Sequence, residues 1–294
     1  MQKVRLTESN PEWEVKYVES KITDLNLTFP KRVFKVLDNL IDIYTHPQSV
    51  NSVEDILNCT ALLLNEEQQS RHTIVVGCGP KPDTVRELDE RGYNVLGVEP
   101  VEEGVRQATE FLKGSAGIVQ GTAENIPVED HSQSLVLMEN VLEHVDSVVV
   151  SLKEAYRVLQ PGGVLFIRTT NRSRFSISGV NWEFSTRFYN WFPRIVKESY
   201  VFSQLHYRPE LARYSPRPAV HWFSFPDLCD FGREVGFARF YSPFDLLYLT
   251  KNTSGSDLRF KVSHWCRQQP WLRAVIVSQM CGDIFMWKRS ELIV

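Results

Sequence analysis

The stretch His72–Pro80, HTIVVGCGP, decides the fold. Thr73 to Val76 is a short β-branched apolar run suited to a buried strand, and it leads directly into Gly77-Cys78-Gly79. Two glycines let the backbone curl tightly and leave no side chain between it and a ligand. Beyond them, Pro80, Pro82 and Asp83 hold the chain out of a helix, and Thr84 with Glu87 three residues later has the form of a capping box. Strand, glycine turn and helix N-terminus together make a nucleotide-sized site with free N–H groups. The same turn occurs in α/β domains that bind nothing there, so the next acid carries the decision. Asn94 to Val98 reads as a second apolar strand ending on Glu99, twenty residues after Gly79. That is the spacing at which a carboxylate at a strand end reaches a ribose hydroxyl pair.

The pattern continues outward from this unit. A helix is expected from Val101 to Lys113, stopped by Gly114. A third strand, Ala116–Gln120, precedes the loop GTAENIPVED, and a fourth, Ser134–Met138, leads into ENVLEHV, which reads as helical. A helix over Ser147–Leu159 is expected to end at the turn Pro161-Gly162-Gly163, before a fifth strand, Val164–Arg168. Strands alternating with helices at this rhythm call for a parallel sheet covered on both faces, with ligands at the strands' carboxyl ends. Further on, Ser224-Phe-Pro-Asp227 looks like a helix start and Gly236 its stop, followed by strands at Ala238–Tyr241 and Ile284–Trp287.

Composition sets broad limits. The 294 residues carry a formal net charge of −3, which gives no general argument for nucleic acid or an anionic membrane as partner. The five cysteines, Cys59, Cys78, Cys229, Cys266 and Cys281, lack metal-ligand spacing and read as reduced thiols of a cytoplasmic protein. The opening residues MQKVRLTESNPEWEVKY lack an apolar signal core, and no run reaches the roughly eighteen apolar residues of a membrane span.

The order IVVGCGP, VLGVEP, GTAENIP, LVLMENVLEHV, VLQPGGVLFI over residues 72 to 170 resembles a class I S-adenosylmethionine-dependent methyltransferase. Within that superfamily it is similar to the small-molecule group that includes the ubiquinone-biosynthesis type. The resemblance implies a doubly wound, Rossmann-like α/β fold with a seven-stranded sheet, and S-adenosylmethionine as cofactor. It sets Gly77, Cys78 and Gly79 beside the methionine moiety, Glu99 and Pro100 at the ribose, Ala123 and Glu124 near the adenine, and Met138 and Glu139 beside the sulfonium. The chain departs from the family in three places: Val75 stands where an acid is usual, Lys81 where a third glycine is usual, and Gln133-Ser134 where Phe-Asp is common. The missing acid removes one partner for the turn and for the amino end of the cofactor. Lys81 then either stays in solvent or approaches the cofactor carboxylate.

Methyl transfer from a sulfonium is an in-line displacement, so the protein positions the acceptor and removes its proton where needed. His144 is the candidate base, with a structural role as the alternative. Asn140, Glu143 and His144 would share a face if helical, but Asn140 is a poor ligand for a hard cation, and no metal is expected. Residues 1–70 read as a helical N-terminal layer, with Trp13 and Tyr17 as lid candidates, and 71–294 as the methyltransferase domain. Within the latter, 171–224 is expected to be a helical, aromatic-rich insertion on the acceptor side, where Trp182, Tyr189, His206 and His221 are candidate substrate contacts. Trp265, Trp271 and Trp287 read as core, with a dimer or membrane-surface contact as the alternative. The expected activity is methyl transfer to oxygen or nitrogen, less readily carbon, of a small-molecule acceptor. The rival readings are a nicotinamide-dependent oxidoreductase, which Gly77, Gly79 and Glu99 alone would allow, and a non-catalytic fold that binds a cofactor or a partner.

Overall fold

A computed structural model of the chain describes residues 52–64, 72–169, 221–250, 264–279 and 282–290, with 171, 193, 196 and 199 singly. The chain divides into two units, Met1–Ile41 with Ser176–Ala219, and Asp42–Phe175 with Val220–Val294. The second contains the fold described below. Trp13, Tyr17, Trp182, Tyr189 and His206 lie outside the described residues, as does nearly all of the expected insertion.

The sheet has seven strands: β1 (His72–Val76), β2 (Asn94–Glu99), β3 (Gly117–Gln120), β4 (Gln133–Glu139), β5 (Leu159–Arg168), β6 (Arg239–Tyr241) and β7 (Ile284–Trp287). Their spatial order is β3-β2-β1-β4-β5-β7-β6. Neighbouring pairs from β3 to β5 are parallel, and β7 runs antiparallel between β5 and β6. The order reverses between β1 and β4, so the crevice at their carboxyl ends is where such a sheet takes a ligand.

Helices cover both faces: α1 (Val53–Ala61), α2 (Asp83–Glu90), α3 (Glu102–Leu112), α4 (Val148–Val158), α5 (Phe225–Val235), α6 (Pro243–Thr250) and α7 (Pro270–Gln279). Alternation along each strand sorts the core into two layers. Ile74, Val76, Val136, Met138, Leu165, Ile167 and Met286 pack with Leu152, Ala155 and Leu228 from α4 and α5. Val75, Leu135, Leu137, Val164, Phe166 and Phe285 pack with Ile56, Cys59, Val85 and Leu88 from α1 and α2. Removing a buried ring such as Phe166, whose centroid lies 4.8 Å from that of Phe285, would cost about 3–5 kcal/mol.

Several local expectations hold. Ser224 and Asp227 form a reciprocal capping box at the start of α5, and Gly236 ends it in the left-handed region at φ 117°. Others are corrected. Pro82 is the residue before α2, so Thr84 lies inside the helix and donates its hydroxyl to the Glu139 carboxylate instead of capping. ENVLEHV is not a helix: Glu139 ends β4 and a turn follows, in which Asn140 takes φ 55° and donates its N–H to the Arg168 carbonyl, turning the chain away from helical geometry. Pro161-Gly162-Gly163 lies within β5, because Gly162 donates to the Lys288 carbonyl and Gly163 accepts from the Lys288 N–H. The end of α3 is as expected, with Lys113 as its C-cap at φ 52° and Gly114 directly after it at φ 80°. Trp265 and Trp271 are not core, at 54% and 66% exposed, whereas Trp287 is half-buried under the Arg239 guanidinium.

Candidate functional site

The site is built by the ends of β1, β2, β4 and β5. Gly77 and Gly79 both adopt positive φ, at 67° and 69°, conformations that side chains resist. Their surroundings differ. A Cβ on Gly77 would stand 2.6 Å from Val141 Cγ2, whereas one on Gly79 would meet nothing within 4 Å, so open space lies over the second glycine. Cys78 between them is half-buried, and burial with the nearby Glu99 charge pushes its thiol up to about 12, so it stays protonated.

Glu99 closes the other side. Its carboxylate, 7% exposed, accepts from the Gly79 N–H at 3.0 Å and the Val101 N–H at 3.2 Å. Burial raises its pKa while those two amides pull it down. Two oxygens carry about four acceptor directions, so capacity remains for further donors. Pro100 is exposed, its carbonyl accepting from Gln120 Nε2 at 3.3 Å. Lys81 is exposed as well, which favours the solvent alternative for its ammonium.

Ala123 is buried in the core layer with Val98, Met138 and Leu142. The Glu124 carboxylate accepts from the Asp146 N–H at 2.8 Å and the Ser147 N–H at 3.3 Å. It therefore braces the turn that enters α4, a commitment the sequence did not signal. Met138 is fully buried beside Val76, its partner on β1. Glu139, one residue on, accepts from Thr84 Oγ1 at 3.1 Å and Arg168 Nη1 at 2.9 Å. Arg168 also reaches Asp283, at 3.2 Å from Nε and 3.4 Å from Nη2.

The turn after β4 carries the candidate base. His144 is half-buried and donates its N–H to the Val141 carbonyl. Next to it Glu143 is 2% exposed and accepts from Thr169 Oγ1 at 2.8 Å. Burial pushes the Glu143 carboxyl up to about 7, against its own backbone N–H and Thr169. His221 is tied to the same turn: its N–H donates to the Glu143 carbonyl and its Nε2 to the Val145 carbonyl at 2.9 Å. With the turn in place of a helix, Asn140, Glu143 and His144 do not line one helical face, and the described residues hold no metal-binding group of His, Cys, Asp and Glu.

Thr84, Arg168, Asp283 and Thr169 are the residues that sequence reasoning missed. The available signal was position: Glu99, Glu139 and Arg168 end apolar strands and Asp283 precedes one, all at the same edge of the sheet.

A seven-stranded sheet reversing between β1 and β4, with β7 antiparallel between β5 and β6, an open glycine turn and a buried acid at the next strand end, is a Rossmann-like fold of the kind methyltransferases adopt. Residues 74–167 match the methyltransferase domain family, and the resemblance to class I methyltransferases rests on this part of the chain. An uncharacterized methyltransferase of Mycobacterium bovis is 35% identical over 96 residues, 33% of this chain and 38% of that protein. The mitochondrial ubiquinone biosynthesis O-methyltransferase of Rattus norvegicus is 30% identical over 108 residues, 34% of this chain and 31% of that protein. The chain thus spans about a third of the length of the curated relatives it matches. Among solved structures, an S-adenosylmethionine-dependent methyltransferase from Mesorhizobium loti is similar, with a TM-score of 0.49 and 14% identity, over 81% of this chain and 99% of that one.

Proposed function

We propose that the protein is an S-adenosylmethionine-dependent methyltransferase acting on an oxygen or nitrogen of a small-molecule acceptor. The observation that carries this is the open turn at Gly79 facing the buried Glu99 carboxylate, within the segment matching the family. These residues fit the cofactor: the turn leaves room for close approach of its backbone, and Glu99 keeps acceptor capacity for a ribose diol. Bound there, the cofactor supplies a methyl group already activated by the sulfonium charge.

The chain's own residues do the rest. Glu99 accepts the ribose hydroxyl hydrogens, and the Gly77–Gly79 backbone lies against the methionine end. Ala123 offers an apolar wall for the adenine, with the backbone at Glu124 beside it. His144 takes the proton of an acceptor hydroxyl or amine, a task suited to imidazole near neutral pH. His221, fixed to the same turn, lines the acceptor side. Oxygen is the favoured acceptor atom, since one relative, 30% identical over 108 residues, is by name an O-methyltransferase.

Calorimetric titration with S-adenosylmethionine and S-adenosylhomocysteine, repeated on Glu99→Ala, tests the reading. Loss of the hydrogen bonds to a charged acceptor should weaken both ligands by about tenfold or more. Native protein that binds neither ligand would overturn the proposal.

A further inference from the structure

The charged residues at the carboxyl edge form a row on one sheet face. Along β4, Leu135 and Leu137 belong to the layer beneath α1 and α2, and Glu139 is the next residue on that side. Along β5, Val164 and Phe166 lead to Arg168 in the same way, and Phe285 on β7 is preceded on that side by Asp283. Register confirms the alignment, with Glu139 directly opposite Arg168 and Ile284 opposite Ile167. Thr84, in the first turn of the helix that follows the glycine turn, reaches the row from above and donates to Glu139. Among the described residues the row includes the Glu139 and Asp283 carboxylates and the Arg168 guanidinium, and its Glu139 end stands where β4 borders the end of β1.

Val75 belongs to this same face. It is opposite Leu137 on the neighbouring strand, two residues short of Glu139, and is buried among Ile56, Cys59 and Val85. An acid at position 75 would sit in that apolar layer, whereas Glu139 places its carboxylate one step nearer the edge, 21% exposed and one residue beyond Met138, the register partner of Val76. Resting on the cofactor reading above, we infer that Glu139, oriented by Thr84 and by Arg168 braced on Asp283, receives the α-ammonium of the cofactor's amino-acid arm. The chain thereby recovers from β4 the cation partner that β1 does not provide. Glu139 suits the task because it accepts one hydrogen bond on each oxygen and so retains lone pairs for an ammonium. Arg168 holds one oxygen of Glu139 in place while also bonding to Asp283.

The test is a ligand-deletion cycle with the full chain. S-adenosylhomocysteine is compared with its deaminated analogue, which keeps the nucleoside, thioether and carboxylate but lacks the ammonium, on native protein, Glu139→Gln and Thr84→Val. A charge-assisted hydrogen bond predicts that native protein favours the amino ligand by about tenfold to a hundredfold, and that Glu139→Gln removes this preference while binding the deaminated ligand within a few-fold of native. Thr84→Val, which leaves every charge in place, should reduce the preference only in part, and it carries the test if Glu139→Gln does not fold. Equal weakening of both ligands by Glu139→Gln, or an unchanged preference, overturns the inference while leaving the cofactor site standing. Native protein that binds neither ligand overturns the cofactor reading and this inference with it.

Discussion

Alanine at Gly79 and at Gly77 should separate the cost of backbone strain from the cost of filling the ligand's space. Both glycines have φ near 70°, at 69° and 67°, so each alanine incurs about 1–2 kcal/mol of left-handed strain. At Gly79 the new methyl meets nothing within 4 Å, so the free protein should lose no more than that strain. At Gly77 the methyl stands 2.6 Å from Val141 Cγ2, and overpacking adds about 1–3 kcal/mol. Gly77→Ala should thus lose about 2–5 kcal/mol in all, by the same two terms. Urea unfolding followed by circular dichroism reads these values, and calorimetric titration with S-adenosylhomocysteine reads the other side. Gly79→Ala, the milder folding variant, should lose affinity by about tenfold or more because its methyl occupies ligand space. The reasoning is refuted if Gly79→Ala binds like native protein, or if Gly77→Ala is no less stable than Gly79→Ala.

Further outcomes follow from other contacts. Glu143 titrates near 7 in the folded protein against an ordinary value of 4.5, so the folded state holds its proton longer than the unfolded chain. Stability from this group is complete below pH 4.5 and lost as pH rises to about 7, on the order of 3 kcal/mol. Glu143→Gln should flatten that part of the stability–pH curve in urea titrations and raise stability at pH 8. Lys288, 4% exposed, donates to the Tyr156 and Leu159 carbonyls at 2.7 and 2.6 Å. Lys288→Met leaves a buried acceptor without its donor and should cost about 1–3 kcal/mol in the same assay. Ser224→Ala removes the side-chain acceptor for the Asp227 N–H and should cost about 1 kcal/mol. His144→Ala should lower turnover far more than cofactor affinity, compared by single-turnover methyl transfer and calorimetry; equal turnover would remove it as the base.

The sheet was legible in the sequence because its strands are short apolar runs bounded by glycine, proline or charge. Thr73–Val76 and Ile284–Trp287 need no tertiary information to be recognised. The turn after β4 was not legible. Val141, Leu142 and Val145 give helical spacing, but Asn140 adopts a left-handed conformation that only its bond to Arg168 on the next strand accounts for. Tertiary contact likewise reassigned Thr84, whose spacing from Glu87 mimics a cap while its hydroxyl serves Glu139, fifty-five residues away. The glycine turn and Glu99 could be found by spacing, since twenty residues link one strand end to the next. Arg168 and Asp283, 115 residues apart, are not linked by spacing but by position, since the antiparallel placement of β7 beside β5 brings a strand end and a strand start together. The exposure of Trp265 and Trp271 belongs to the same class, since apolar composition does not say which face of a helix is covered.

The most direct test is a crystal structure of the protein soaked or grown with S-adenosylhomocysteine. The ribose hydroxyls should lie within hydrogen-bond distance of the Glu99 carboxylate, with the thioether chain running over Gly79. A nucleoside bound elsewhere, or a ribose turned away from Glu99, would contradict the assignment of the site.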